Sequence, residues 1–312
     1  MPTLSDAPAP TCAVAIVGPT AVGKSRLALD LAAMFEVDII SADSRQVYRY
    51  MDIGTDKPTA SDRARVPHYM LDLVAPDDTY SVRRYQLEAR RVLRRSVFRK
   101  RVSLVVGGTG FYVQALLDDV ALPAVAPNRE LRERLTLEAE KCGAAALHER
   151  LRTLDPRSAH RVHTNNIPRI IRALEVIDAL GAPVPELEIR SAVPALYLGV
   201  HMNRSSLYEI ADRRVKEQFD GGLVEETEYL LRMGYDASLP SLDGFGYREA
   251  AGYLSGKLSM AGAVAQYQAA THRYIRRQMT WFGRDKRVRW IESGPDAPST
   301  AAALIRDWLA TA

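Results

Sequence analysis

The sequence predicts an α/β protein in which a mostly parallel sheet is flanked by helices and interrupted by a helical insertion. Three observations predict it. Short, mostly apolar runs alternate with amphipathic helical stretches from Ala13 to Val106. Runs without polar alternation suit strands buried on both faces, and strand–helix alternation suits parallel pairing. Beyond Leu122 a segment follows that is helical throughout, bracketed by proline-rich patches. Finally, a glycine-rich loop lies between the first apolar run and the first helix, the context of a phosphate loop.

Taken in order, Ala13 to Val17 (AVAIV) reads as a buried strand, and Lys24 to Phe35 as a helix with Leu27, Leu31, Met34 and Phe35 on one face. Val37 to Ser41 is a second strand and Tyr69 to Val74 a third. Tyr85, Ala89, Val92, Leu93 and Val97 recur at helical spacing within Ser81 to Arg101, and Val102 to Val106 is a strand closed by GGTG. Arg129 to Leu154 and Ile167 to Leu180 read as helices with no strand between them. Leu196 to Val200 rejoins the sheet, and Ser205 to about Trp281 is mostly helical. Val288 to Ile291 adds an edge strand and Thr300 to Leu309 a closing helix. The expected organisation is a loose tail (1–12), a core (13–121 with 195–312) and an insertion (122–194).

Of the 312 residues, 47% are hydrophobic and 26% charged, the balance of a soluble globular protein. No apolar run reaches membrane-spanning length, and residues 1–12 lack the basic flank and apolar stretch of a signal peptide. Cys12 and Cys142 are too few for a disulfide framework or a four-ligand zinc site, which suits a reducing cytoplasm. Net charge is only +4, but it is unevenly placed. Ser81 to Arg101 holds nine basic residues against Glu88, and His272 to Arg289 holds seven against Asp285, with Tyr274, Trp281 and Phe282 interleaved. The remainder is acidic, with 26 basic against 36 acidic residues. Arginine-rich segments carrying aromatics suit phosphates and splayed bases, so RNA is the natural polyanion.

Three strand ends carry the chemistry. Gly18-Pro19-Thr20-Ala21-Val22-Gly23-Lys24-Ser25 fits G-x-x-x-x-G-K-[ST]. Backbone N–H groups and a helix N-terminus cradle phosphate, Lys24 reaches terminal phosphates, and Ser25 can hold Mg²⁺. The motif points to a diphosphate or triphosphate, ATP included, without specifying hydrolysis. The second strand ends in Asp43-Ser44-Arg45-Gln46, where ligands of an open sheet bind. Asp43 is either a metal-holding aspartate or a direct catalytic group. The fourth strand ends in Gly107-Gly108-Thr109-Gly110, whose glycines allow close backbone approach and whose Thr109 hydroxyl can orient a substrate.

Together, GPTAVGKS, SADSRQVYRYMDIGTDKP, VPHYMLDL, VVGGTGFYVQALL, RALEV, GYRE and RQMTWF resemble the tRNA dimethylallyltransferase family in order and spacing, from about Ala13 to Trp290. The resemblance implies transfer of a dimethylallyl group from its diphosphate to N6 of the adenosine beside the anticodon, with Mg²⁺. It implies that Asp43 is the base, that Thr109 orients the base or the amine, and that Arg214 contacts the diphosphate opposite the phosphate loop. Asp43 to Gln46, Thr109, Pro168-Arg169-Ile170-Ile171-Arg172 and Gly244-Phe245-Gly246-Tyr247-Arg248-Glu249 would meet tRNA. The insertion would clasp the anticodon stem, and the acceptor base would be flipped into a channel. A monomeric, cytoplasmic enzyme is expected. Asn166, Ile167 and Pro168 stand where the family commonly has an acidic residue and arginines, and Ile210 where many members carry arginine. Rival readings are a nucleotide or metabolite kinase, an RNA-binding ATPase, and prenylation of free adenine nucleotide. The insertion and the basic helices favour a macromolecular acceptor.

Overall fold

The computed structural model describes residues 13–311, so the expected tail over residues 1–12 lies outside the described residues. Contacts divide the chain into two units, residues 120–189 and the remainder. In the larger unit, strands β1 (Ala13–Val17), β2 (Val37–Ser41), β3 (His68–Tyr69), β4 (Val102–Gly107), β5 (Ala195–His201) and β6 (Val288–Glu292) form one sheet. Its order is β3-β2-β4-β1-β5-β6, and every pairing within it is parallel. Register places Val17 beside Gly107 and Gly199, and Ser41 beside Val106, so the loops after β1, β2 and β4 leave the same edge.

Helices of the same unit are α1 (Lys24–Ala32), α2 (Ala60–Arg65), α3 (Val82–Phe98) and α4 (Gly110–Leu117). Alternation within β1 explains the two apolar layers. Ala13, Ala15 and Val17 pack with Tyr85, Ala89 and Leu93 of α3, while Val14 and Ile16 pack with Leu27 and Leu31 of α1. The sheet is thus covered on both faces, as all-parallel sheets require.

Several expected details change. Helix α1 stops at Ala32, and Met34 is 46% exposed rather than on the buried face, because the Ala33, Met34 and Phe35 N–H groups turn back onto Asp30 and Leu31. The third strand shrinks to His68–Tyr69: Met70 and Asp72 take left-handed φ values of 67° and 55°, which end the pairing.

The smaller unit is helical: α5 (Arg129–Cys142), α6 (Ala144–Leu154), α7 (Pro156–Arg161) and α8 (Ile167–Leu180). The expected 129–154 stretch is broken at Gly143, whose φ of 83° favours glycine. Leu131, Leu135, Leu147, Leu151, Ile170 and Leu174 form its core. Buried Glu175 accepts from Arg132 and Arg172. Burial pushes its carboxyl up, but those two guanidiniums and the Asn128 N–H outweigh burial and hold it at about 2. The unit ends at Ile189, where a bridge to Val120 closes it, and not at Pro194. Val193 already belongs to the sheet unit's core and donates to Leu117 O at 2.6 Å.

The larger unit is completed by α9 (Arg204–Asp220), α10 (Leu223–Arg232), α11 (Tyr247–Leu254), α12 (Met260–Phe282) and α13 (Ala297–Leu309). Among the described residues, no helix is long and apolar enough to cross a membrane.

Candidate active site

A cavity of about 410 Å³ opens at the carboxyl ends of the strands, as expected for an open parallel sheet. Its floor is the loop from β1 to α1. Gly18 has φ 140°, and a Cβ there would meet Val200 O at 2.5 Å, so only glycine lets the loop leave the sheet this way. Gly23 (φ 97°) begins α1 with no side-chain cap, and the helix has no acidic residue in its first turn. Its N-terminal N–H groups therefore favour an anion. Ser25 and Lys24 both line the cavity. Lys24 donates to Pro19 O at 2.6 Å, while desolvation and then the neighbouring Arg214 charge lower its ammonium to about 8. Val22 is fully buried, so only its backbone belongs to the loop's function.

Arg214, on α9, closes the opposite wall. It donates to the Thr20 hydroxyl and pairs with Asp56 at 2.8 Å. Asp56 is held there by its own segment, whose Asp52 and Ile53 N–H groups donate to Glu226 and whose Ile53 O accepts from Gln218. Two buried polar atoms of the wall, Arg214 Nε and Thr271 Oγ1, have no partner among the described residues. A ligand rich in oxygen would satisfy both.

Asp43 faces Lys24 from the end of β2. Burial raises its carboxyl, against the opposing Arg45 N–H, which donates to Oδ1 at 2.8 Å, and the Lys24 charge. Ser44 N–H donates to Thr109 Oγ1 at 3.1 Å, tying the loops after β2 and β4 together. These loops touch closely: a Cβ on Gly107 would lie 2.2 Å from Ala42 O. Tyr274 lines the cavity beside Thr109 and packs edge-on against Phe245, 4.8 Å between centroids. Burial pushes its phenol up to about 12. The Arg45 guanidinium donates to Ser241 O (3.1 Å) and Asp243 O (3.2 Å) and lies 5.7 Å from the Phe245 ring.

Most sequence-derived residues of the larger unit converge here. Thr20, Ala21, Gly23, Lys24, Ser25, Asp43, Arg45, Gln46, Arg214 and Phe245 line one cavity, with Thr109 bonded behind it. Gln46 is turned inward, accepting from Ser41 Oγ and donating to Thr55 O and Asp56 O. Tyr247 and Glu249 do not present side chains to a macromolecule: each is 1% exposed, Tyr247 donating to Glu226 and Glu249 accepting from Gly246 N–H and Arg248. In the smaller unit, Ile170 and Ile171 are likewise core residues, whereas Pro168 and Arg169 are exposed and Arg172 pairs with Glu175.

The basic segments divide. On α3, Arg84 and Arg90 are taken by Glu88 and Asp119; Arg101, between α3 and β4, is taken by Glu36 and Asp38, and the helix ends at the amino edge of the sheet, away from the cavity. Helix α12 borders the cavity directly through Thr271, Tyr274 and Gln278. Sequence reasoning gave Thr271, Gln278 and Asp56 no role, and read Tyr274 only as an aromatic among arginines that suits a splayed base. Gln278 stands in RQMTWF, but its partners lie too far away in sequence for any local pattern to reveal them.

Fold and cavity together define a P-loop-type protein whose cavity sets an anion-favouring loop beside a buried carboxylate. A family model described as IPP transferase matches residues 46–285. The chain is 44% identical over 281 residues to the tRNA dimethylallyltransferase of Thermomicrobium roseum, covering 89% of this chain and 85% of that relative. It is 43% identical over 301 residues to that of Roseiflexus sp., covering 95% and 98%. The chain belongs to the IPP transferase family. The solved full-length tRNA isopentenylpyrophosphate transferase of Bacillus halodurans matches with a TM-score of 0.72 at 34% identity, covering 96% of this chain and 97% of that one. A eukaryotic dimethylallyltransferase acting on tRNA shares the fold, with a TM-score of 0.76 at 21% identity over 96% and 80%.

Proposed function

We propose that this chain transfers the dimethylallyl group from dimethylallyl diphosphate to N6 of the adenosine on the 3′ side of the anticodon in tRNA, releasing diphosphate. One observation carries the reading: an anion cradle (the phosphate loop, Lys24 and Arg214) and a buried carboxylate (Asp43) share a single cavity. The C1–O bond of the prenyl diphosphate breaks and the N6–C1 bond forms. The N6 proton passes to the Asp43 carboxylate, whose raised affinity for protons suits that task. Lys24, Arg214 and the loop's N–H groups stabilise the charge growing on the diphosphate. Thr109, braced by Tyr274 and Ser44, orients the acceptor side.

The donor set fits Mg²⁺, which needs few protein ligands when a diphosphate supplies oxygens: Ser25 offers a hard hydroxyl at the cavity, and no cage of three or more His, Cys, Asp or Glu side chains exists among the described residues. Ser25 would hold the ion, which would help neutralise the leaving diphosphate. The reading takes the enzyme as a cytoplasmic monomer whose helical unit grips the anticodon stem.

The test incubates the protein with Mg²⁺, dimethylallyl diphosphate and an unmodified anticodon stem-loop, followed by mass spectrometry. Gain of one C5H8 unit on the adenosine supports the reading. Transfer to AMP but not to RNA would move the assignment to free-nucleotide prenylation, and RNA-stimulated ATP turnover without mass gain would sink it.

A further inference from the structure

Helix α12 grips the catalytic loops through three residues on one face. Tyr274 stands beside Thr109, Gln278 meets Thr20 and Gly108, and Trp281 packs so tightly on Gly110 that a Cβ there would lie 2.1 Å from the indole. The spacing of 274, 278 and 281 places them on neighbouring turns. Gln278 is 5% exposed, and both ends of its carboxamide are engaged. Oε1 accepts the Thr20 N–H at 2.8 Å, and Nε2 donates to Gly108 O at 3.0 Å. A backbone N–H only donates and a carbonyl only accepts, so these partners fix the amide's orientation and require a group with one acceptor end and one donor end.

The two partners belong to opposite halves of the reaction. Thr20 stands in the diphosphate cradle, its hydroxyl held by Arg214. Gly108 precedes Thr109, whose hydroxyl accepts from Ser44 N–H beside Asp43. A continuous path therefore runs from Arg214 through Thr20, Gln278, Gly108, Thr109 and Ser44 to Asp43. Resting on the prenyl-transfer reading, we propose that Gln278 is a positioning residue that fixes the separation of the leaving-group cradle from the acceptor base and couples the two substrates. Because its amide is spent on protein partners, it acts through Thr20 and Gly108. Its loss misaligns bound substrates, and misplacement by about 1 Å costs about 10²-fold in rate.

Gln278→Met keeps the length and removes both bonds, while Gln278→Glu keeps an acceptor for Thr20 and sets a carboxylate against Gly108 O. Stem-loop transfer kinetics should show kcat lower by about 10²-fold in both variants, with both KM values within about threefold of wild type. Calorimetry with inorganic diphosphate, with and without the stem-loop, reads the coupling without turnover. RNA should change diphosphate affinity in wild type and leave it nearly unchanged in the variants. Should Gln278→Met fail to fold, Gln278→Glu decides. A kcat for Gln278→Glu within about threefold of wild type, a loss confined to KM for the prenyl diphosphate, or coupling equal in wild type and variants overturns the proposal. If wild type transfers no prenyl group, the reaction assignment fails, and the coupling measurement still judges Gln278.

Discussion

Replacing Lys24 with methionine should stabilise the ligand-free protein at neutral pH while abolishing its reaction. Desolvation and the Arg214 charge lower the Lys24 ammonium from 10.5 to about 8. At about 1.36 kcal/mol per unit, keeping that charge buried costs roughly 3 kcal/mol. Lys24→Met removes the cost but also the hydrogen bond to Pro19 O, worth about 1 kcal/mol, leaving a net gain of about 2 kcal/mol. The sign follows from linkage. Between about 8 and 10.5 the unfolded chain binds this proton more tightly than the folded one, so this lysine's contribution to wild-type stability rises with pH across that window. The advantage of the methionine variant is therefore largest at neutral pH and shrinks toward the ordinary lysine value. Urea unfolding of both proteins at the two ends of that window measures it. Inorganic diphosphate should reverse the ranking by stabilising wild type alone. A variant less stable than wild type at neutral pH, or a gain independent of pH, would refute the reasoning.

Other consequences follow from the same geometry. Asp43→Asn should lower transfer by about 10²- to 10⁴-fold while diphosphate binding, followed by calorimetry, survives; collapse of binding would identify Asp43 as a metal holder instead. The pH profile of kcat/KM should fall on the acid side, where the raised carboxyl of Asp43 takes up its proton, and again above about 8 as Lys24 loses its own; a flat acid limb would exclude Asp43 as base. Arg214→Ala should raise the KM for dimethylallyl diphosphate and lower kcat, because it removes one wall of the cradle and leaves Thr20 and Asp56 unpartnered by it. Glu175→Ala should destabilise the helical unit by about 1.5–3 kcal/mol, since Arg132, Arg172 and the Asn128 N–H lose their buried acceptor, read as lost amide protection in α8. In wild type the contribution of Glu175 is complete above 4.5 and disappears as pH falls through about 2.

What the sequence disclosed depended on how local each signal was. The phosphate loop is contiguous, and its strand and helix neighbours lie within a few residues, so spacing alone located it. Alternation of apolar runs with helices likewise revealed the sheet, because burial on both faces leaves a compositional mark. Arg214 was assigned through family likeness, since its partners Asp56 and Thr20 are 158 and 194 positions away. Gln278 lies 258 positions from Thr20 and left no signal of its own. The third strand was overread because left-handed backbone at Met70 and Asp72 is not written in residue type as it would be at glycine. Charge counting on Ser81 to Arg101 indicated a polyanion partner, but it could not show that Asp38 and Asp119 would fold against Arg101 and Arg90.

Desolvation moves Lys24 and Asp43 in opposite directions within one cavity, and the proposed reaction uses both shifts. Each shift means that burial disfavours the charged form. Prenyl transfer relieves this without changing the cavity's total charge. Breaking the C1–O bond adds one negative charge to the diphosphate, beside Lys24 and Arg214, while the N6 proton neutralises Asp43. One unit of negative charge thus moves from a group that burial makes reluctant to hold it toward Lys24 and Arg214. In a site shielded from water, such a displacement is favoured far more than in solution, because little solvent must reorganise to follow it. A kinase using the same loop would have to place a third phosphate in this cavity, and Asp43 would stay ionised there only where a bound metal ion offset its burial. The electrostatics of the cavity therefore favour a carboxylate that receives a proton over one that keeps its charge.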